Sequence, residues 1–395
     1  MPAIRRLSSA LINQIAAGEV ITRPAAAVKE LVENALDAQA THIDIHLEDG
    51  GKSAIVVKDD GVGMSPEDLT LCVDRYTTSK LQDLSQITTF GFRGEALAAL
   101  GSVCRLIITS RERGASQAFC IKVEREHLTP LALAVLKGGT RVEAQDLFFA
   151  MPARLKFLKS TALELSHCTQ AVKRLALANP HVAFRCFEGE RCLFSYRQSD
   201  QQTRLIEVLG NISADELLPV KKTQNALSLS GVVGKPVCTQ ATSAKQFFFV
   251  NKRAVQDVCF SAALRTAYQE LIVRERHAIA VLFLVVPPQD VDVNVHPAKT
   301  EIRFQDVRRI QLFLTDALAQ SLRTTEQIGA GERNMGSRKH FVRQENPKPF
   351  SRPLASNVLP LLSVHAAHHL AESPASWHHE TPPADAPAGA QDALL

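Results

Sequence analysis

The sequence predicts a mixed fold, α/β or α+β, because strands and helices alternate along it. Two observations carry this. Stretches of period two, such as "HIDIHLED" with Ile43, Ile45 and Leu47 on one face, are interleaved with stretches of helical period, such as "VKELVENALDA". Near position 200 the polar "YRQSDQQT" interrupts the pattern, and a second series of elements begins at "RLIEVLG". A chain of 395 residues has room for two domains and a tail.

The first predicted element is a helix over 24–37. Val28, Leu31, Val32 and Ala35 share a stripe at i, i+3, i+4 and i+7, and Pro24 suits the first turn, where an N–H would be unpaired. Glu30, Glu33, Asn34 and Asp37 fall on the opposite side. That side reads either as a solvated face or as a set of groups aimed at a ligand; Glu30 and Asn34, four apart, are close enough to act on one ligand. "HIDIHLED" and "SAIVVKD" are strands. "SPEDLTLCVDR" is a helix with Ser65 as N-cap and acids in its first turn. "GEALAALGSV" is a helix and "CRLIITSR" a strand. In the second series, "KQFFFVNKRAV" reads as a strand, "CFSAALRTAYQELI" as a helix, "AIAVLFLVV" as a buried strand, "QDVDVNVHPAKTEIRF" as strand plus loop, and "RRIQLFLTDALAQSLRTT" as a closing helix. After about 329 periodicity ends in His/Ala/Pro-rich sequence, predicting a linker or tail.

Composition narrows the class. Hydrophobic residues make up 45% and charged residues 22%, as in an ordinary globular protein. The net charge of +4 permits an anionic partner without requiring one. Eight cysteines are scattered without a Cys-x-x-Cys pair, which argues against zinc and fits a reducing compartment. The longest apolar run, 278–286, stops at Pro287, far short of the ~20 residues of a membrane span, so no membrane association and a cytoplasmic location are predicted.

Four short stretches join the first helix as carriers of chemistry. "DDGVGM" places Asp59 at a strand end before Gly61 and Gly63, where a carboxylate meets an amino group and glycine leaves room for a flat ring. "YTTSK" offers Thr78, Ser79 and Lys80. "TFGFRGEAL" puts Arg93 and Gly94 before a helix start, whose amides and dipole favour phosphate. "GGTRVEAQ" starts a strand at Thr140.

In this order and spacing these stretches resemble the nucleotide site of the GHKL ATPases, a fold without the Gly-x-x-x-x-Gly-Lys-Ser/Thr loop, which is absent here. "NQIAAGEVITRPAAAVKELVENALDA", "TTSK", "GFRGEAL", "FLKS" and "VDVNVHPAKTEIRF" resemble the MutL mismatch-repair family in particular, over residues 4 to about 320. The resemblance implies an α+β architecture. A GHKL (Bergerat-type) α/β sandwich with an N-terminal dimer arm is expected over 1–200. A smaller α/β transducer domain with a ribosomal-protein-like fold is expected over 201–328, and a disordered linker or tail over 329–395.

The resemblance also assigns roles. Glu30 matches the general base for the attacking water, and Asn34 the magnesium ligand. Asp59, supported by Thr140, is expected to bind the adenine amino group, with Gly61 and Gly63 making space for the base. Thr78, Ser79, Lys80, Arg93 and Gly94 are expected to form the lid and phosphate cradle, and Lys299 in "HPAK" to reach the γ-phosphate. Glu33 and Asp37 stay open between groups behind the site and solvated acids.

The implied cofactors are ATP and Mg2+. The implied activity is slow ATP hydrolysis that closes a homodimer on DNA and couples a MutS-like mismatch-recognition protein to a downstream nuclease or helicase, at the nucleoid during repair. Candidate DNA contacts, largely non-specific, are Arg154, Lys156, Lys159, Lys173, Arg174, Arg265, Arg274 and Arg276. The expected lack of a C-terminal dimerisation domain leaves a second possibility, a fragment that binds ATP and DNA with little turnover. No endonuclease motif is expected. Where "VNKR" has Lys252, the family often has glycine.

Overall fold

The computed structural model describes residues 7–79, 94–124, 127–292 and 302–335. Helices α1 (Ser9–Val20) and α2 (Pro24–Asp37) come first, followed by strands β1 (His42–Glu48) and β2 (Ala54–Asp59) and helices α3 (Pro66–Leu71) and α4 (Ala96–Val103). Five strands follow: β3 (Arg105–Arg111), β4 (Ala118–Glu124), β5 (His127–Leu128), β6 (Ala132–Ala134) and β7 (Gly139–Gln145). Helices α5 (Pro152–Phe157) and α6 (Thr161–Ala178) lead to β8 (Ala183–Glu188) and β9 (Arg191–Tyr196). These strands form a nine-stranded sheet in the order β5-β4-β3-β7-β2-β1-β8-β9, with β6 also on β4. Strands β1 and β8 run parallel, and the other neighbours antiparallel.

One face of this sheet is the apolar one. Ile43, Ile45 and Leu47 of β1 are fully buried, while His42, His46 and Glu48 are exposed. On the buried face, α2 packs against α6 and contributes Val28, Leu31, Val32 and Ala35 to the core. The helix predicted over 24–37 is therefore present with its apolar stripe inward.

The second series begins with α7 (Gln201–Leu209), β10 (Leu217–Gln224), β11 (Leu227–Gly234), β12 (Thr239–Gln240), β13 (Gln246–Val250) and β14 (Arg253–Val255). It continues with α8 (Val258–Ala267), β15 (His277–Ala278), β16 (Ala280–Val285), β17 (Val291–Asp292), β18 (Arg303–Phe304) and α9 (Val307–Met335). Its main sheet has five strands in the order β10-β11-β16-β13-β14. Phe247, Phe249, Ile279 and Val281 join the core of the first sheet, while Phe248, Val250, Leu282 and Leu284 pack with Phe260, Leu264 and Leu314 of α8 and α9. Burial on both faces explains why "QFFFV" and "AVLFLV" are continuous apolar runs rather than alternating ones.

Several boundaries differ from the sequence expectation, each for a local reason. "KQFFFVNKRAV" is two strands, because Asn251 and Lys252 take φ of 49° and 69° and turn the chain back on itself. Helix α3 ends at Leu71, where the Thr77 hydroxyl donates to the Leu71 and Asp74 carbonyls, 2.8 Å each. Helix α8 ends at Ala267, and the Tyr268 hydroxyl donates instead to the Gly234 carbonyl. Helix α9 continues past 329 to Met335. The polar "YRQSDQQT" carries the cap of α7, since the Asp200 carboxylate accepts from the amides of Gln202 and Thr203 at 2.9 and 3.0 Å. Helix α7 itself packs Leu205, Val208 and Leu209 into the core of the first sheet. Its Arg204, fully buried, donates to the carbonyls of Ala176, Asn179, Pro180 and Val182 at 2.8–3.3 Å and to that of Arg197. Among the described residues no helix is long and apolar enough to cross a membrane.

Candidate active site

A cavity of about 1070 Å³ opens at the C-terminal half of α2. Glu30, Asn34 and Asp37, a stripe at i, i+4 and i+7, line it. Glu33 does not: it is 6% exposed and turns to the side, where Lys29 Nζ lies 3.1 Å from its carboxylate and 3.2 Å from that of Glu30. Burial works against the Lys29 charge, but the two carboxylates outweigh it and raise its pKa. The polar side of the helix thus divides into three residues facing the cavity and one acid tied to its own helix.

The opposite wall is built by strand ends. Asp59, 7% exposed at the end of β2, accepts at Oδ1 from the amides of Gly61 at 2.9 Å and Thr140 at 3.3 Å. Burial pushes its pKa up to about 6, against the pull of these two amides. Among the described residues Oδ2 has no protein partner. The Thr140 hydroxyl, also on the cavity wall, is 2.9 Å from the hydroxyl of Ser110.

The two glycines serve backbone packing. A Cβ on Gly63, at φ +71°, would lie 2.1 Å from the Arg111 carbonyl oxygen, and one on Gly61 would lie 2.7 Å from the Ala38 carbonyl oxygen. The turn they form is anchored at Ala38, the C-cap of α2, which accepts from the Val62 amide at 2.9 Å. Gly63 lines the cavity and Gly61 does not.

The phosphate side brings two motifs together. Thr78 and Ser79 line the cavity with Gly94 and the first residues of α4, and the Tyr76 amide donates to the Gly94 carbonyl at 3.2 Å. Gly94 has φ +61°, and a Cβ there would be 2.3 Å from the Thr77 carbonyl oxygen. Lys80, Arg93 and Lys299 lie outside the described residues. Among the described lining residues, acids predominate: Glu30, Asp37, Asp59, Asp68, Glu95 and Glu112, against Arg113.

Comparison with known proteins matches this arrangement. Residues 21–135 match the family described as histidine kinase-, DNA gyrase B- and HSP90-like ATPase, and residues 205–323 the DNA mismatch repair protein C-terminal domain. The DNA mismatch repair protein MutL of Azorhizobium caulinodans is 48% identical over 333 residues, which are 82% of this chain and 53% of that one. The chain belongs to the MutL mismatch-repair family. It spans about half the length of the curated MutL relatives it matches. A crystal structure of the N-terminal domain of a DNA repair protein superposes with a TM-score of 0.70 at 25% identity, covering 80% of this chain and 99% of that one. The Aquifex aeolicus MutL ATPase domain, determined with ADP, superposes with a TM-score of 0.56 at 26% identity, covering 75% and 98%. The α+β architecture with a GHKL-type ATPase domain is thus that of MutL ATPase-domain structures.

The basic residues singled out as DNA contacts separate into engaged and open ones. Arg154 is engaged, donating to the carbonyls of Gly18 and, at 3.1 Å, Ile21, with its guanidinium over the Phe148 ring. Arg276 donates to the Thr239 hydroxyl and carbonyl. Lys173 sits over the Phe194 ring, its pKa lowered by burial and by Lys245. Burial lowers the pKa of Arg174 as well. Lys156, Lys159, Arg265 and Arg274 are exposed. Sequence reasoning missed Ser110, whose signal is a serine at the third inward position of "RLIITSR" after Leu106 and Ile108. It also missed Glu112 and Arg113, which follow that strand and carry no signal of their own.

Proposed function

We propose that this chain binds ATP with magnesium in the cavity beside α2, hydrolyses it slowly, and uses the cycle to close two copies on DNA during mismatch repair. The observation carrying this is convergence: Glu30, Asn34, Asp59 and Thr140 line one cavity of about 1070 Å³, ample for a nucleotide. Asp59 Oδ2 accepts a hydrogen bond from the adenine amino group. A guanine would present a carbonyl oxygen there, facing a carboxylate, so adenine is preferred. Glu30 orients and deprotonates the attacking water.

No group of three or more metal-binding acids, histidines or cysteines occurs among the described residues. A lone amide oxygen from Asn34 suits magnesium, which takes its other ligands from water and phosphates. When bound, the ion supplies the positive charge that this acid-rich wall lacks. Lys80, Arg93 and Lys299 supply the rest, with Lys299 on the γ-phosphate, and Thr78, Ser79 and the α4 amides cradle the phosphates. Leu11, Ile12 and Ile15 of α1, each 42–50% exposed, form an apolar ridge suited to the partner subunit in the closed homodimer. Lys156, Lys159, Arg265 and Arg274, the exposed members of the set, are the DNA contacts this reading favours. By family, the partners are a MutS-like mismatch-recognition protein and a downstream nuclease or helicase.

The test is steady-state ATPase against protein concentration for wild type and Glu30→Ala, with ATP binding measured in both. The variant is expected to keep binding and lose at least about a hundredfold in turnover. The wild-type specific rate is expected to rise with concentration as dimers close. Binding without turnover by both proteins at every concentration would show that the chain is not an ATPase.

A further inference from the structure

We propose that Ser110 is a positioning residue for adenine recognition: its hydroxyl proton sets the Thr140 hydroxyl as a donor toward the purine ring. The inference rests on the nucleotide site proposed above.

Ser110 is 1% exposed and does not line the cavity. It stands directly opposite Thr140 in the pairing of β3 with β7. Its Oγ lies 2.9 Å from the Met64 amide nitrogen, 2.9 Å from Thr140 Oγ1 and 3.2 Å from the Gly139 carbonyl oxygen. One hydroxyl therefore joins the turn carrying Gly61 and Gly63 to the strand carrying Thr140. A serine hydroxyl has one proton and two lone pairs. The Met64 N–H donates into one lone pair. The proton then has two destinations. If it goes to Gly139, Thr140 must donate to Ser110 and presents only lone pairs to the cavity. If it goes to Thr140, the Thr140 proton is left to point into the cavity.

The chemistry of the base selects between these. With Asp59 Oδ2 accepting from the 6-amino group, the neighbouring ring nitrogen N1 is an acceptor and takes a donor, directly or through one water. The arrangement that reads adenine is the second, and the 2.9 Å between the Ser110 and Thr140 hydroxyls accommodates a donor in either direction. Guanine, which carries a proton on N1, meets a donor there. Ser110 thus acts on the base through Thr140.

The test uses a ligand that lacks the contact. Dissociation constants for ADP and 1-deaza-ADP, in which N1 is a C–H, are measured with magnesium for wild type, Ser110→Ala and the near-isosteric Ser110→Cys. The diphosphates avoid turnover, and a thermal melt of each variant reports folding. Wild type is expected to bind ADP about tenfold more tightly than 1-deaza-ADP, the worth of one well-placed hydrogen bond. Both variants are expected to lose about tenfold for ADP while 1-deaza-ADP stays within about twofold. If Ser110→Ala does not fold, Ser110→Cys decides. Equal weakening of both ligands would make Ser110 a structural residue only, and unchanged binding of both would give it no role; either overturns the inference while leaving the nucleotide site standing. Failure of the wild type to bind ADP at all would overturn the site and the inference together.

Discussion

Replacing Asp59 with asparagine should stabilise the fold while weakening nucleotide binding, and the size of the gain follows from burial. The Asp59 carboxyl is raised from 3.8 to about 6 because desolvation outweighs the two amides donating to it. The folded state thus holds the proton more tightly than the unfolded chain. Stability falls as pH rises from about 4 through 6, and the full penalty is present above 6. At about 1.4 kcal/mol per unit, a rise of about two units costs about 3 kcal/mol at pH 7.5. Asparagine keeps an oxygen for the Gly61 and Thr140 amides but carries no charge to desolvate. Asp59→Asn is expected to gain about 1–3 kcal/mol in urea unfolding at pH 7.5, shrinking to about 0.5 kcal/mol at pH 4, where the wild-type carboxyl is itself largely protonated. In the same variant ADP affinity falls, since an amide cannot accept from the 6-amino group as an anion does. A variant no more stable than wild type at pH 7.5, or a gain undiminished at pH 4, would refute desolvation as the dominant influence on Asp59.

Other substitutions probe the frame around the cavity. Gly63→Ala forces a left-handed alanine whose Cβ meets the Arg111 carbonyl, so a loss of about 3 kcal/mol or more is expected in denaturant unfolding. Arg204→Met strips the donors from five backbone carbonyls behind α7 and should cost about 3–5 kcal/mol, visible as a large drop in Tm. Lys252→Gly removes a side chain from a residue at φ +69° and is expected to raise stability by about 0.5–1 kcal/mol, after the added flexibility of the unfolded chain is discounted; a loss of stability would show that the turn tolerates lysine without strain.

Much of this architecture was legible in the sequence where a local pattern has one physical outcome. The helix over 24–37 needed only its apolar stripe and Pro24, and its observed bounds are the predicted ones. Strand β1 needed only the alternation of Ile43, Ile45 and Leu47. Lengths were less legible, because ends are set by partners remote in sequence: Thr77 closes α3, and Tyr268 leaves α8 to reach Gly234. The hairpin at Asn251–Lys252 was hidden because lysine does not advertise a positive φ as glycine would. In the site, Glu30, Asn34, Asp59 and Thr140 were each marked by a motif. Ser110 was not, since one serine in an apolar strand acquires meaning only from the hydroxyl and amide brought beside it.

The adjacent pair Asp59–Asp60 marks the limit of what sequence alone determined. The sequence places two identical side chains at the end of a strand before a glycine turn, and strand alternation sends them to opposite sides. It does not say what each meets. Asp59 turns into the cavity wall, and burial pushes its pKa up to about 6. Asp60 turns outward, and although burial again opposes its charge, the Thr41 hydroxyl and the amides of Thr41 and His42 pull its pKa down to about 2. The period of the backbone is a property of the local chain. The desolvation and the donors that separate these carboxyls come from segments up to 81 residues away, which only the folded packing brings within reach.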